Sequence, residues 1–293
     1  MPGALKVVGQ VLWRLRYDLL AVLMVALAMA MFSGSALFAG AAPAVPLLGV
    51  VVSIFIGFRN SSAYNRWWEA RTLWGTVIAN SRALSNALVA VEDGTPEMAA
   101  VEDRMRRRQV RHAWQLAAEL RGVPAGPAVR ELTPEDPPAA TAAGLLTFQA
   151  ADIRDLKRAT MIDPQARTLL VNVNSAEQLA EAGLERIRQQ PIPRYYAIFI
   201  RMVAWLFAVM VCTRLGGDGH ASVAGMAVSV AVMTLFIVAE RLGHLIGEPM
   251  DDSVFALPMD GFCAQITADL LGPEHPLSDP AVRSRPGRST GSR

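Results

Sequence analysis

Residues 45–75 read VPLLGVVVSIFIGFRNSSAYNRWWEARTLWG. Val45 to Phe58 is apolar and uncharged, and the polar residues begin at Arg59. No proline follows until Pro96, so a single helix can leave the apolar stretch and run to about Val91. Val50, Ile54 and Phe58 are spaced four apart and fall on one slightly drifting stripe of that helix. Offset from it is a stripe of small residues, Ser53, Gly57 and Ser61, a spacing that lets membrane helices approach closely. This predicts a helix packed on neighbours by its small face, with bulky apolar groups beside it. Several copies around an axis would turn those groups into stacked rings, and such constrictions gate ions by dewetting. A buried membrane helix with no pore has the same spacing, so periodicity leaves both readings open.

Past Phe58, Arg59 and Arg66 are seven apart and share a face, while Glu69 is three from Arg66 and within ion-pair reach. Trp67 and Trp74 mark another face suited to burial or to the membrane interface. Charges this close to an apolar span are costly unless paired or wet. They predict a polar network between helices, although an ordinary juxtamembrane anchor of Arg and Trp fits equally well.

The rest of the chain agrees with a membrane setting. Over 293 residues it is 52% hydrophobic and only 18% charged, less charge than soluble domains carry. Leu19 to Phe38 is an uncharged apolar stretch of the length a spanning helix needs. Tyr195 to Thr213 is interrupted only by Arg201, and Ala221 to Ala239 is uncharged. Four crossings are the simplest reading, with 45–58 the short one. Lys6, Arg14 and Arg16 precede the first span, and Arg59, Arg66 and Arg71 follow the second. The link from Ala39 to Ala44 has no charge, and Arg214 is the only basic residue near the other link. Both termini and the central segment are therefore expected in the cytoplasm. Ala39-Gly40-Ala41 after an apolar run resembles a signal-peptide cleavage site, but an equally apolar segment follows at once, which favours a retained helix.

The central segment reads as helical: Glu97 to Arg121 ending near Gly122, a loop from Gly122 to Gly144, a helix over Ala151 to Ala159, and one or two more over Ala166 to Gln189. The tail from Pro273 is rich in Pro, Ser, Gly and Arg and is expected to be disordered. Arg104 to Arg111 (RMRRRQVR) could contact anionic lipid or nucleic acid, but it is read as a solvated helix face balanced by Glu97, Glu102 and Asp103. Arg201 reads as an ion-pathway charge or, equally well, as a snorkelling or inter-subunit pairing residue, with Glu240 as the suggested partner. Gly243 and Gly247 have small-residue spacing, a weak signal alone. Cys212 and Cys263 form no framework, and His112, His220, His244 and His275 show no ligand spacing. G-x-S-x-G, Walker, G-x-G-x-x-G and H-E-x-x-H signatures are all missing, so no enzyme, metal or cofactor is expected.

GFRNSSAYNRWWEARTLWG, residues 57–75, resembles the signature of the bestrophin family. Glu185-Arg186-Ile187 followed by Pro191-Ile192-Pro193 is similar to a second family segment, with Gln190 in place of its threonine. Glu248-Pro249 and Leu257-Pro258-Met259-Asp260 resemble two more. The resemblance implies an all-α membrane protein, one subunit of a homopentameric channel with four transmembrane helices and a helical cytosolic domain. Val50, Ile54 and Phe58 map onto the family's apolar pore neck, with Arg59, Arg66, Glu69 and Arg71 as a polar collar. A cytosolic constriction falls near Pro164 or Gln165. Small monovalent ions would pass: chloride by resemblance to the family at large, or monovalent cations as in some bacterial members, since an uncharged neck does not announce the sign. Animal members bind calcium after a Pro-Phe-Gly segment. Here Asp251 and Asp252 come too early, and Ser253 and Ala256 stand at the ligand positions, so calcium gating is not expected.

The expected organisation is a cytosolic lead-in (1–18), spans one and two (19–58, pore helix 45–58) and a cytosolic helical domain (59–194). Spans three and four (195–239), a cytosolic C-terminal helical segment (240–272) and the tail (273–293) complete it. The protein is expected in the inner (plasma) membrane, in contact with lipid and its own copies. A membrane-anchored receptor, scaffold or enzyme that uses the cytosolic domain is the rival class.

Overall fold

Pro46 at a helix start, an unbroken run of helix formers and no later proline yield one helix of 47 residues, Val45–Val91 (α2). In the computed structural model the described residues are 2–31, 45–91, 94–215, 223–251, 253 and 255–279. Among them every long element is helical, and there is no strand. The helices besides α2 are α1 (Pro2–Met31), α3 (Pro96–Arg121), α4 (Pro127–Arg130), α5 (Ala142–Arg158), α6 (Pro164–Gln189), α7 (Arg194–Leu215), α8 (Val223–Ile246) and α9 (Met259–Leu271).

Two compact units share the chain. The first holds residues 1–68 and 191–256, the second 69–190 and 257–293. In the first, α1, α7 and α8 pack on one another and on the start of α2 around Val22, Val52, Ile56, Ile200, Phe207 and Ile237. Phe207 lies against Phe236, ring centroids 4.7 Å apart, and a Cβ on Gly49 would come 3.0 Å from the Phe207 ring. Large apolar side chains also stand on its surface: Leu20, Met24 and Leu27 on α1 and Ile198, Phe199 and Met202 on α7 are exposed. Helix α2 and residues Ala224–Ile246 are apolar and long enough to cross a membrane, while Tyr195–Val211 is a shorter apolar stretch.

In the second unit, α3 is the central helix, in contact with α4, α5, α6 and α9. Thr95 caps it by accepting from the Met98 N–H at 3.2 Å, and Gly122, in the left-handed conformation (φ 70°), ends it. Leu84, Leu88, Met98, Met105, Ile153 and Leu170 form a core between α2, α3, α5 and α6.

Several expectations need correction. The segment to Gly144 is not all loop: α4 is a turn of helix within it, and α5 begins at Ala142 rather than near Ala151. The cause is Thr141, which accepts from the Gly144 N–H at 3.1 Å and caps a helix among residues that read as loop formers. The tail does not lose structure at Pro273, because Pro276–Ser278 is a 3-10 turn with Leu277 buried beneath it. Residues 32–44, which include the end of the first span and Ala39-Gly40-Ala41, lie outside the described residues. So do 216–222 and 280–293.

Candidate functional site

At ~100° per residue, Val50, Ile54 and Phe58 occupy an ~80° sector of α2, and Val52, Ile56, Arg59 and Ala63 occupy the opposite side. The structure separates the two faces completely. Val52, Ile56, Arg59 and Ala63 are buried in their own unit, whereas Val50, Ile54 and Phe58 are 58%, 51% and 67% exposed. The small stripe also stays open: Ser53, Gly57 and Ser61 are exposed, and a Cβ on Gly57 would meet nothing within 4 Å. Within the chain, close approach is carried by other glycines. A Cβ on Gly243 would collide with Asn60 Oδ1, and one on Gly247 would lie 3.5 Å from the Ala63 Cβ. The weak Gly243/Gly247 signal therefore marks where α8 seats against α2, and the stronger-looking stripe does not.

Polar bonds lock the buried face. Arg59 donates to Glu240, and both side chains are almost fully shielded. Asn60 Nδ2 donates to the Ala239 carbonyl at 3.0 Å, and Trp67 Nε1 donates to the Phe255 carbonyl at 2.8 Å. On the open side, Ser53 and Ser62 hydroxyls donate back to the Gly49 and Phe58 carbonyls at 2.7 and 2.9 Å, within their own helix. Helix α2 is thus held on one side only, and its apolar stripe is presented outward.

The collar residues have different settings and fall in both units. Arg59 is buried with Glu240, and Arg66 is half-buried on the same helix. Glu69 pairs with Arg186 of α6 at an exposed position, where an ion pair contributes about 0–1 kcal/mol. The Arg71 guanidinium lies 4.7 Å from the centroid of the Phe262 ring. Pro164 and Gln165 form the exposed first turn of α6, whose cap Asp163 accepts from the Ala166 N–H at 2.7 Å.

Two charge assignments change. Arg201 pairs not with Glu240 but with Asp18 of α1, at 2.9 Å, and Arg241 donates to the same carboxylate at 2.7 and 3.0 Å. Neighbours on a helix diverge by ~100°, so Glu240 turns to α2 while Arg241 turns to α1. The Arg104–Arg111 run is not a solvated face. Arg108 is buried in a two-pronged bond to Asp136, 2.7 Å on each prong, and also reaches Asp152. Arg111, fully buried, donates to the Thr133 and Pro137 carbonyls at 3.0 and 2.7 Å. These arginines pin the segment after α4 onto α3. Burial alone would raise the Asp136 carboxyl, but the Arg108 guanidinium holds it below its ordinary range.

The sequence reading also missed a buried cluster. His112 is fully enclosed, with Nδ1 3.3 Å from Glu177 and Nε2 3.3 Å from Glu181, successive turns of α6. Gln109 donates to Glu177 at 2.9 Å and to Ser81 at 3.0 Å. Burial would lower the imidazole's pKa, but the two carboxylates outweigh it and raise it to about 9. The only sequence trace was the i, i+4 spacing of Glu177 and Glu181 on a helix face that also carries Leu170, Leu184 and Ile187. Among the described residues no group of three or more His, Cys, Asp or Glu could hold a metal ion.

These features define an all-α protein whose first unit is built from apolar helices, one with an outward apolar stripe and a buried ion pair behind it. Residues 4–272 match the family described as Bacterial/Fungal Bestrophin protein, and the chain belongs to that family; it is a membrane protein. The chain is similar to the voltage-dependent anion channel-forming protein YneE of Escherichia coli (strain K12), 30% identical over 232 residues, which are 77% of this chain and 74% of the relative. The protein of the same name from Salmonella typhi is 29% identical over 246 residues, 81% and 78% of the two chains. A bestrophin homolog from Klebsiella pneumoniae of known crystal structure is 25% identical with a TM-score of 0.80, over 89% of this chain and 100% of that one.

Proposed function

We propose that the protein is a homopentameric channel that conducts small monovalent ions through a pore lined by five copies of α2. Val50, Ile54 and Phe58 form its apolar neck. The carrying observation is the outward stripe: three bulky apolar side chains, each more than half exposed, on a helix otherwise locked in place. An ion entering such rings sheds water without compensation, so the neck sets the barrier. Arg59, Arg66, Glu69 and Arg71 act as the collar that holds the helix, and the α6 start at Pro164 and Gln165 is the second, cytosolic aperture. Residues 19–58 and 195–239 provide four crossings, both termini are cytoplasmic, and 59–194 with 240–272 form the cytosolic part. The relatives named as anion channels support an anion, chloride first, as the conducted ion.

The test is flux in liposomes containing the purified protein. Replacement of Val50, Ile54 and Phe58 together by Ala raises flux while the pentamer stays intact. Unchanged flux with intact assembly refutes the neck, and a monomer or dimer on purification favours a receptor, scaffold or enzyme instead. Reversal potentials in asymmetric NaCl across a planar bilayer give the sign of the ion.

A further inference from the structure

We infer that Asn65, with Ser61 one turn before it, forms the ring that sets ion selectivity at the exit of the neck, an inference that rests on the pore reading of α2. Between residues 45 and 65 the only charged residue is Arg59. It points away from the open stripe, is buried, and is neutralised by Glu240. No fixed charge on this stretch of α2 is therefore available to choose between anion and cation.

Helical phase decides which side chains continue the stripe beyond Phe58. With Val50 taken as 0° and ~100° per residue, Ile54 lies near 40°, Phe58 near 80°, Ser61 near 20° and Asn65 near 60°. Ser61 and Asn65 thus occupy the same ~80° sector, and both are exposed. Asn65 lies ~10 Å along the axis from Phe58, beyond the last apolar ring. Near that level one bond ties the helix to its unit and an aromatic cluster lies along the helix itself. Tyr64 stacks on Trp67 and Trp68 with ring centroids 6.2 and 6.4 Å away, and Trp67 is bonded to the Phe255 carbonyl.

A primary amide carries two N–H donors and a carbonyl acceptor, so a ring of five can replace lost water around an ion of either sign. The serine hydroxyls extend this by one turn. An ion leaving the apolar rings partly dehydrated meets these groups first, and which end of the amide faces it determines which sign passes more easily. A fixed charge there overrides the amide. One unit charge ~5 Å from an ion in water changes its local concentration about fourfold, and five copies add to that.

The experiment measures permeability ratios in asymmetric KCl for the wild-type protein, Asn65→Asp and Asn65→Lys, with the triple neck alanine variant in parallel. Expected are a shift toward potassium of at least about fourfold for Asn65→Asp and a comparable shift toward chloride for Asn65→Lys. If the neck variant raises flux and neither Asn65 variant moves the ratio, the selectivity assignment is overturned and the pore reading stands. If the neck variant leaves flux unchanged, the pore reading fails and this inference with it. Should Asn65→Lys not assemble, the near-isosteric Asn65→Asp and Ser61→Asp carry the measurement, and unchanged ratios in both overturn the assignment.

Discussion

The buried imidazole His112 makes the stability of the protein depend on pH in a narrow alkaline window. Its pKa stands at about 9 in the folded chain against an ordinary 6.5, because the carboxylates of Glu177 and Glu181 flank it inside the second unit. A raised folded-state pKa means that the native state holds the proton more tightly than the unfolded chain does. The stabilisation is fully present below pH 6.5 and is lost as pH rises through about 9. At ~1.4 kcal/mol per pH unit, a gap of about two and a half units corresponds to about 3 kcal/mol. For a chain of this size that is a fall in Tm of roughly 6–12 °C. The assay is thermal unfolding of the purified protein in detergent from pH 6 to 9.5, beside a variant with His112, Glu177 and Glu181 all replaced by Gln. That variant keeps the volumes and removes the three titrating groups, so its curve supplies the background from the rest of the chain. The wild-type curve should fall relative to it only between pH 6.5 and 9. A difference that is flat across this window, or that grows with pH, refutes the assignment of a protonated His112.

The packing sets other outcomes. Gly243→Ala drives a methyl into Asn60, whose amide is fixed by the Ala239 carbonyl; a loss of about 1–3 kcal/mol, read as lower Tm, is expected. Glu240→Ala leaves Arg59 buried without its counterion and should cost about 3–5 kcal/mol, whereas replacing Arg59 by Met and Glu240 by Leu together should cost much less. A double variant as unstable as Glu240→Ala would disprove that account. Calcium chelation should leave ion flux unchanged, and a strong dependence would mean that Ser253 and Ala256 were wrongly dismissed as ligand positions.

What the sequence disclosed tracks the range of the physics involved. The course of α2 was legible because proline placement and a four-residue spacing are local, and the structure keeps that helix whole from Val45 to Val91. Which face it buries was not, since Ser53, Gly57 and Ser61 offered a plausible packing surface and only the partner helices reveal that Val52, Ile56, Arg59 and Ala63 are used instead. The partners of Arg59, Arg108 and His112 lie 181, 28 and 69 residues away, beyond any periodicity. The partner of Arg201, Asp18 of its own chain and 183 residues away, was equally out of reach: the expectation was an ion-pathway, snorkelling or inter-subunit role, with Glu240 as the suggested partner. The start of α5 was missed for a local reason: Thr141 reads as a loop former but serves as a cap.

The division of labour around α2 bears on how such a protein can diversify. Val50, Ile54 and Phe58 make little use of their own protomer, so a change there does not open a cavity in its core. Exposed substitutions of that kind usually shift folding stability by no more than ~0.5 kcal/mol. Mutational drift at the outward stripe is therefore cheap for the protomer, while drift at Arg59, Asn60 or Gly243 is not. On the pore reading proposed above, evolution can retune the height of the barrier to ions without renegotiating how the chain folds.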